Sequence, residues 1–141
     1  VHLTRGTVRD ERLSDAALEL PRMNEARCYL RPYRFAYGIG TLSESSGIND
    51  RLVKIDIEAG ESAEWREDGC YPGEPVFVPA PQGRSEDDGV ALSVVLDARA
   101  ERSFLLALDA RSFDELARAE VPHHVPFGFH GDFYPSPGVM H

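Results

Sequence analysis

The chain has 141 residues, with 15 lysines and arginines against 24 aspartates and glutamates, and a formal net charge of −9. So acidic a chain is a poor binder of nucleic acid, because neutralising phosphates needs a basic face. Hydrophobic residues make up 42% of the sequence, which excludes a disordered acidic tail. No apolar run approaches the roughly 20 residues of a membrane span. Two widely separated cysteines exclude a disulfide scaffold or a CxxC zinc site.

Apolar and polar residues alternate along most of the chain, which predicts β-strands rather than helices. Turn residues such as Asp68-Gly69 and Pro72-Gly73 separate the alternating segments. Strands at this spacing indicate a sandwich, a barrel or a propeller. The nearly all-apolar segment 90–96 predicts a strand buried on both faces. The predicted strands cover residues 1–8, 13–20, 33–38, 51–57, 63–66, 75–78, 90–96 and 103–108.

Two short segments carry more specific local signals. Residues 112–115 fit the S-x-x-E capping box, and the Leu-Ala-Arg-Ala that follows predicts a helix of a turn or two over 112–119. The acidic run 86–88 lacks the spaced oxygen ligands of an EF-hand loop, so it predicts a turn rather than a calcium site.

One histidine has surroundings that suit a metal ligand. His130 lies between Phe129 and Gly131, where glycine allows close backbone approach and an apolar neighbour keeps water away. A hydrogen-bonded core histidine explains the same local sequence. The adjacent His123 and His124 point apart in an extended chain, so they cannot both face one metal and stay unassigned.

Two glutamates lie where apolar segments end or begin. Glu19 closes the segment before Pro21, and Glu74 precedes Pro75 and the apolar residues after it. Burying a carboxylate there is unfavourable unless it is paired, and the N–H of a metal-bound imidazole would pair it. The alternative is an ordinary solvent-exposed glutamate at a strand end.

Five blocks in one order resemble the C-terminal part of the carotenoid cleavage oxygenase family. The most specific of these are the G-E-P-V-F-V-P block with the E-D-D-G after it, and the closing F-H-G. The five blocks together span nearly the whole chain. The family includes carotenoid dioxygenases and the retinoid isomerohydrolase. The blocks cover residues 19–24, 33–38, 73–79, 86–95 and 122–131.

The resemblance implies an all-β fold, the C-terminal blades of a seven-bladed β-propeller, with residues 1–141 forming the C-terminal part of one domain. It implies an iron(II) ion held by four histidines, with glutamates that accept hydrogen bonds from those histidines. His130 matches the last iron ligand, and Glu19 and Glu74 match two of the glutamates. The other three histidines and one glutamate would lie before Val1, so this sequence is expected to be a fragment that is inactive by itself.

The implied reaction is the cleavage of a conjugated double bond in an apolar polyene, a carotenoid or apocarotenoid, by O2. Two alternatives stay open: non-oxidative chemistry of the isomerohydrolase kind, and a non-catalytic polyene-binding propeller. The partners expected are the polyene and O2, without nucleic acid. We expect a cytoplasmic protein that contacts membranes peripherally to take up its substrate.

Overall fold

The computed structural model describes residues 6, 11–41 and 47–135. Within them the chain forms nine β-strands and one short helix. The predicted all-β class is therefore confirmed. No helix of the described part is long and apolar enough to cross a membrane. The elements are β1 (Glu19–Arg22), α1 (Glu25–Cys28), β2 (Phe35–Gly40), β3 (Arg51–Asp56), β4 (Glu61–Trp65), β5 (Cys70–Pro72), β6 (Val76–Pro79), β7 (Gly89–Asp97), β8 (Arg102–Asp109) and β9 (Glu115–Glu120).

The strands form two antiparallel sheets. In the first sheet the order is β1-β2-β3-β4, with Tyr37 of β2 opposite Lys54 of β3. In the second sheet the order is β5-β7-β8-β9, and β6 also pairs with β7. Because β8 occupies the other side of β7, β5 and β6 lie along the same edge. Together they make one interrupted edge strand.

The hydrophobic core lies between the two sheets. Tyr37 and Leu52 of the first sheet and Val95 and Leu106 of the second are almost fully buried there. The Tyr37 ring packs against Phe77, with the ring centroids 5.3 Å apart. Removing this apolar area from water is the main favourable contribution to the packing of one sheet on the other.

A buried ion pair ties the sheets together beside this core. The Lys54 ammonium of β3 donates to the Asp87 carboxylate at 3.1 Å and to the carbonyl of Arg111 at 2.7 Å. Both charged side chains are 8% exposed. Burial opposes ionisation of Asp87, but hydrogen bonds from Ser85 and Lys54 outweigh it and lower the pKa of the carboxyl below its ordinary value.

The turn before β7 supplies the second half of this junction. A side-chain oxygen of Glu86 accepts the backbone N–H groups of Arg34 and Phe35, both at 2.8 Å. Asp88 accepts the N–H groups of Arg84 and Ser85 within the turn. The prediction of a turn at the acidic run is confirmed, and its three carboxylates have structural partners.

Most of the predicted strands are confirmed. The six strands predicted between residues 33 and 108 correspond to β2, β3, β4, β6, β7 and β8, with shifts of one or two residues at the ends. The strand predicted over 1–8 lies outside the described residues except for Gly6, which is in a turn. The strand predicted over 13–20 is largely wrong: the Ser14 hydroxyl accepts the N–H of Ala16, and the chain bends there before β1 begins at Glu19.

The helix predicted over 112–119 is wrong. The Ser112 hydroxyl accepts the N–H of Asp114 in a turn, and Phe113 has a φ of 67° and lies in the core. The chain then reverses into β9, whose ladder with β8 satisfies the backbone groups that a helix would have satisfied internally. The one short helix is α1.

The expectation that strand 90–96 is buried on both faces is also wrong. Ala91, Ser93 and Val95 face the core, but Val94 is 43% exposed on the other face. The neighbouring Leu105 of β8 is 39% exposed. This face of the second sheet is apolar without being covered by the first sheet.

The junction between the sheets yields a stability prediction. Asp87→Ala leaves the buried Lys54 ammonium without its carboxylate, and we expect it to lower the free energy of unfolding by about 3–5 kcal/mol. Asp114→Ala is the matched control, because Asp114 is exposed and its side chain should be nearly neutral. Urea unfolding of the wild type and the two variants, each in the full-length protein, measures the differences.

The same pair predicts the pH dependence. Because the folded-state pKa of Asp87 is lowered, its contribution is complete above the ordinary carboxyl pKa of about 4 and is lost as the pH falls below it. The stability difference between the wild type and Asp87→Asn should therefore shrink on acidification. A difference that stays constant down to pH 2 would contradict this account.

Candidate metal centre

The interruption between β5 and β6 places Glu74. Gly73 still belongs to the ladder, since its N–H donates to the carbonyl of Val94 at 2.9 Å and its own carbonyl accepts the Ser93 hydroxyl at 2.8 Å. Pro75 has no N–H to continue the ladder. The chain therefore leaves the ladder at Glu74, and the carboxylate projects from the edge of the sheet.

Glu74 meets the histidine that the F-H-G block contributes. Its Oε1 lies 3.1 Å from Nδ1 of His130, and its Oε2 accepts the backbone N–H of Gly131 at 3.0 Å. The Glu74 side chain is 5% exposed, whereas that of His130 is 64% exposed. Two hydrogen bonds to adjacent residues fix the carboxylate and the ring relative to each other.

This arrangement suits a histidine that binds a metal. When Nδ1 carries the proton and donates it to Glu74, Nε2 keeps its lone pair for a metal ion. Among the described residues, Nε2 has no hydrogen-bond partner. The Phe129 ring packs edge-on against the His130 ring, with the centroids 4.8 Å apart.

The segment that leads to His130 is held by β8. The N–H of Ser103 donates to the carbonyl of His123, and the Ser103 hydroxyl accepts the N–H of Val125. The side chains of His123 and His124 are both exposed. In residues 11–41 and 47–135, no three His, Cys, Asp or Glu side chains group as a metal site would require. His130 is thus one candidate ligand without companions in the described chain.

Glu19 is not brought to His130. It lies in β1 at the edge of the first sheet and is exposed, and its side chain has no hydrogen bond or ion pair within the described part. Leu20 has a φ of 49°, and the register with β2 shifts between Glu19 and Arg22. Gly38 permits the close approach of β1, because a Cβ there would lie 2.6 Å from the Glu19 carbonyl. The role implied for Glu19 stays a prediction.

One charged residue near the pair was not singled out from the sequence. The Arg22 guanidinium lies 3.7 Å from Oε1 of Glu74 and 3.8 Å from a carboxylate oxygen of Asp132. An arginine in a short edge strand is usually solvated, so the local sequence carried no signal for this contact. Arg22 reaches these carboxylates only because β1 packs beside Glu74 and the segment around Asp132.

An apolar cavity of about 390 Å³ lies beside the pair. His130 and Glu74 line it together with apolar side chains from β7, β8 and the C-terminal segment. The exposed apolar face of the second sheet forms its floor. The apolar lining includes Leu92, Val94, Leu105, Val125, Phe127 and Phe129.

Residues 1–135 match the family described as retinal pigment epithelial membrane protein, RPE65. The carotenoid-cleaving dioxygenase of Mustela putorius furo is 48% identical over 120 residues, which are 84% of this chain and 22% of that protein. The β,β-carotene 15,15′-dioxygenase of Homo sapiens is 45% identical over 117 residues, 82% of this chain and 21% of that protein. The chain belongs to the carotenoid cleavage oxygenase family.

Solved structures agree with this assignment. An ACO/RPE65 chimera matches with a TM-score of 0.83 and 29% identity over 92% of this chain and 28% of its own. Cobalt-substituted apocarotenoid oxygenase of Synechocystis matches with a TM-score of 0.82 and 30% identity over 90% of this chain and 27% of its own. The two sheets are thus blades of a β-propeller, as predicted. The chain spans about a fifth of the length of the curated relatives it matches.

The single candidate ligand predicts how the 141-residue chain behaves by itself. One imidazole cannot hold iron(II) against water, so the purified chain should not retain stoichiometric iron. Its open sheet edges should also promote aggregation. Iron analysis after gel filtration measures both, and a well-folded monomer with one tightly bound iron would contradict the expectation.

Proposed function

We propose that this chain is the C-terminal part of an iron(II)-dependent dioxygenase that cleaves a conjugated double bond of a carotenoid or apocarotenoid. The observation that carries the proposal is the hydrogen bond between the buried Glu74 carboxylate and Nδ1 of His130. That contact is expected for a metal-binding histidine and is unexpected for an ordinary strand-end glutamate. The names of the carotenoid-cleaving relatives support the substrate class.

His130 would supply one of four neutral imidazole ligands through Nε2. The other three ligands have no counterpart in this sequence and would come from the remainder of a longer protein, with residues 1–141 as the C-terminal part of a single propeller domain. Iron(II), when bound, supplies the reactivity toward O2 that the protein's own side chains lack. Four neutral ligands leave the charge of the ion uncompensated, which increases the importance of nearby carboxylates.

The chain's own residues prepare the ligand. Glu74 would accept a hydrogen bond from the Nδ1–H group, which favours the tautomer whose Nε2 is free to bind a metal. The N–H of Gly131 holds the second oxygen of the carboxylate, so Glu74 cannot rotate away. The Phe129 ring contacts the imidazole edge-on and restricts its orientation. Glu19 would serve in the same way for a histidine outside this sequence.

The names of the relatives favour oxidative cleavage over the isomerohydrolase alternative, since they are dioxygenases and an apocarotenoid oxygenase. The apolar cavity beside His130 is compatible with a polyene. Product analysis under ¹⁸O2 distinguishes the two reactions, because only oxidative cleavage places labelled oxygen in both carbonyl products. The cytoplasmic location with peripheral membrane contact remains a prediction, and the ferret relative carries "mitochondrial" in its name.

The ligand role of His130 is tested by removal of its side chain. In the full-length protein, His130→Ala should abolish both bound iron and polyene cleavage while leaving the fold largely intact, because the exposed imidazole contributes little to blade packing. Metal analysis, product chromatography and circular dichroism measure the three properties. His124→Ala is the matched control, since that imidazole is also exposed and contacts no carboxylate. Full iron content and turnover in His130→Ala would refute the assignment.

The two glutamates give a graded test. Glu→Gln keeps the shape and an acceptor oxygen but removes the charge, so Glu74→Gln and Glu19→Gln should each lower activity or iron affinity about 10–100-fold. Glu61→Gln serves as control, because Glu61 is an exposed strand residue. Activity per bound iron is the measurement. Unchanged values for both variants would exclude both glutamates from the metal centre. A loss for Glu74 alone would restrict the role to the contact with His130.

A further inference from the structure

The buried carboxylate of Glu74 has a positively charged neighbour besides its two hydrogen bonds. An ionised side chain that is 5% exposed is unfavourable unless a cation or several hydrogen bonds compensate it. His130 does not provide that charge when it acts as a neutral ligand. Among the described residues, Arg22 is the only basic side chain besides His130 with a nitrogen within 4 Å of the Glu74 carboxylate.

Arg22 also lies near a second carboxylate, that of Asp132, which is close to His130 in sequence. Its Nη2 lies 3.8 Å from Asp132, and its Nη1 lies 3.7 Å from Glu74. Glu74 is the hydrogen-bond partner of His130, and Asp132 lies two positions after His130 in the sequence. The guanidinium is 18% exposed and comes from β1 of the first sheet, whereas both carboxylates belong to the second sheet and the segment that follows it. One cation therefore links β1 both to the carboxylate that contacts His130 and to the segment that carries His130.

We propose that Arg22 is a positioning residue for the metal centre: its positive charge attracts the Glu74 carboxylate and holds it aimed at His130. The proposal rests on the ligand role of His130 described above. Arg22 touches neither the imidazole nor any metal ligand within this chain, so it acts through Glu74 and Asp132. A salt-linked arginine that only fastened the sheets together would not affect the ligand.

The distances decide which substitutions should be tolerated. Arg22 lies 3.7 Å from Glu74, 3.8 Å from Asp132 and 3.6 Å from the exposed Glu25 of α1, and all three distances are longer than those of direct hydrogen bonds. The guanidinium thus acts mainly through its charge and not through bidentate geometry. Arg22→Lys, which keeps the charge, should therefore preserve the function, whereas the uncharged Arg22→Met should not.

The experiment uses the full-length protein with cobalt(II) in place of iron, since Co²⁺ reports its ligand environment by visible absorption. Competition with a chelator gives the affinity, and the ligand-field bands give the geometry of the site. We expect Arg22→Met to weaken cobalt binding about 10–100-fold and to shift the bands, and Arg22→Lys to stay within about threefold of the wild type.

Arg99→Met is the matched control. Arg99 also forms a long ion pair, 3.9 Å from Asp68, but both side chains are exposed and they lie away from His130. This variant should leave affinity and spectrum unchanged. If Arg22→Met does not fold, Arg22→Gln, which retains a polar side chain of intermediate length, takes its place with the same expectation.

Two results overturn the inference. The first is an Arg22→Met protein with wild-type affinity and spectrum. The second is a loss that Arg22→Lys does not rescue, which would assign Arg22 to packing rather than to charge. His130→Ala, measured in parallel, separates this failure from failure of the proposed function. If His130→Ala loses cobalt while Arg22→Met keeps it, only the role of Arg22 is wrong; if His130→Ala keeps it, the metal centre itself is wrong.

Discussion

The ion pair between Lys54 and Asp87 is the constraint on which the arrangement of the two sheets depends. A lysine in the middle of a central strand would be unfavourable in this core if the turn before β7 did not bring a carboxylate to it. The ammonium also lies over the Phe35 ring, 4.4 Å from its centroid, and the Tyr37 hydroxyl donates to the carbonyl of Ala110. Apolar packing between the two sheets is non-directional, so these polar contacts fix how one sheet lies on the other.

With the sheets fixed, the interrupted edge strand and the C-terminal segment can meet. Glu74 leaves the ladder between β5 and β6, Ser103 holds the segment that approaches from β8, and His130 arrives at the carboxylate. Arg22 extends from the first sheet to the same place. The candidate centre is therefore built at the edges of both sheets, and its precision depends on how firmly the sheets are joined.

The candidate site was predictable to the extent that it depends on short motifs. The G-E-P and F-H-G blocks pointed to Glu74 and His130, and the structure brings the two side chains within 3.1 Å although 56 residues separate them. Glu19 came from an equally short motif, but no histidine of the described chain lies against it. Arg22 was missed because a charge in an edge strand carries no local sign of the distant carboxylates that it will contact.

The sequence by itself determined the β-rich class, the positions of most strands and the family, because alternation, turn residues and motif order are local properties of the chain. The tertiary structure decided that residues 115–120 form a strand and that one face of β7 stays open. It also decided that Lys54 forms an ion pair with Asp87 and that Arg22 forms one with Glu74. Each of these outcomes depends on a partner distant in sequence: β8 supplies the ladder that overrides a helical capping signal, and buried charges are tolerated only where folding brings opposite charges together.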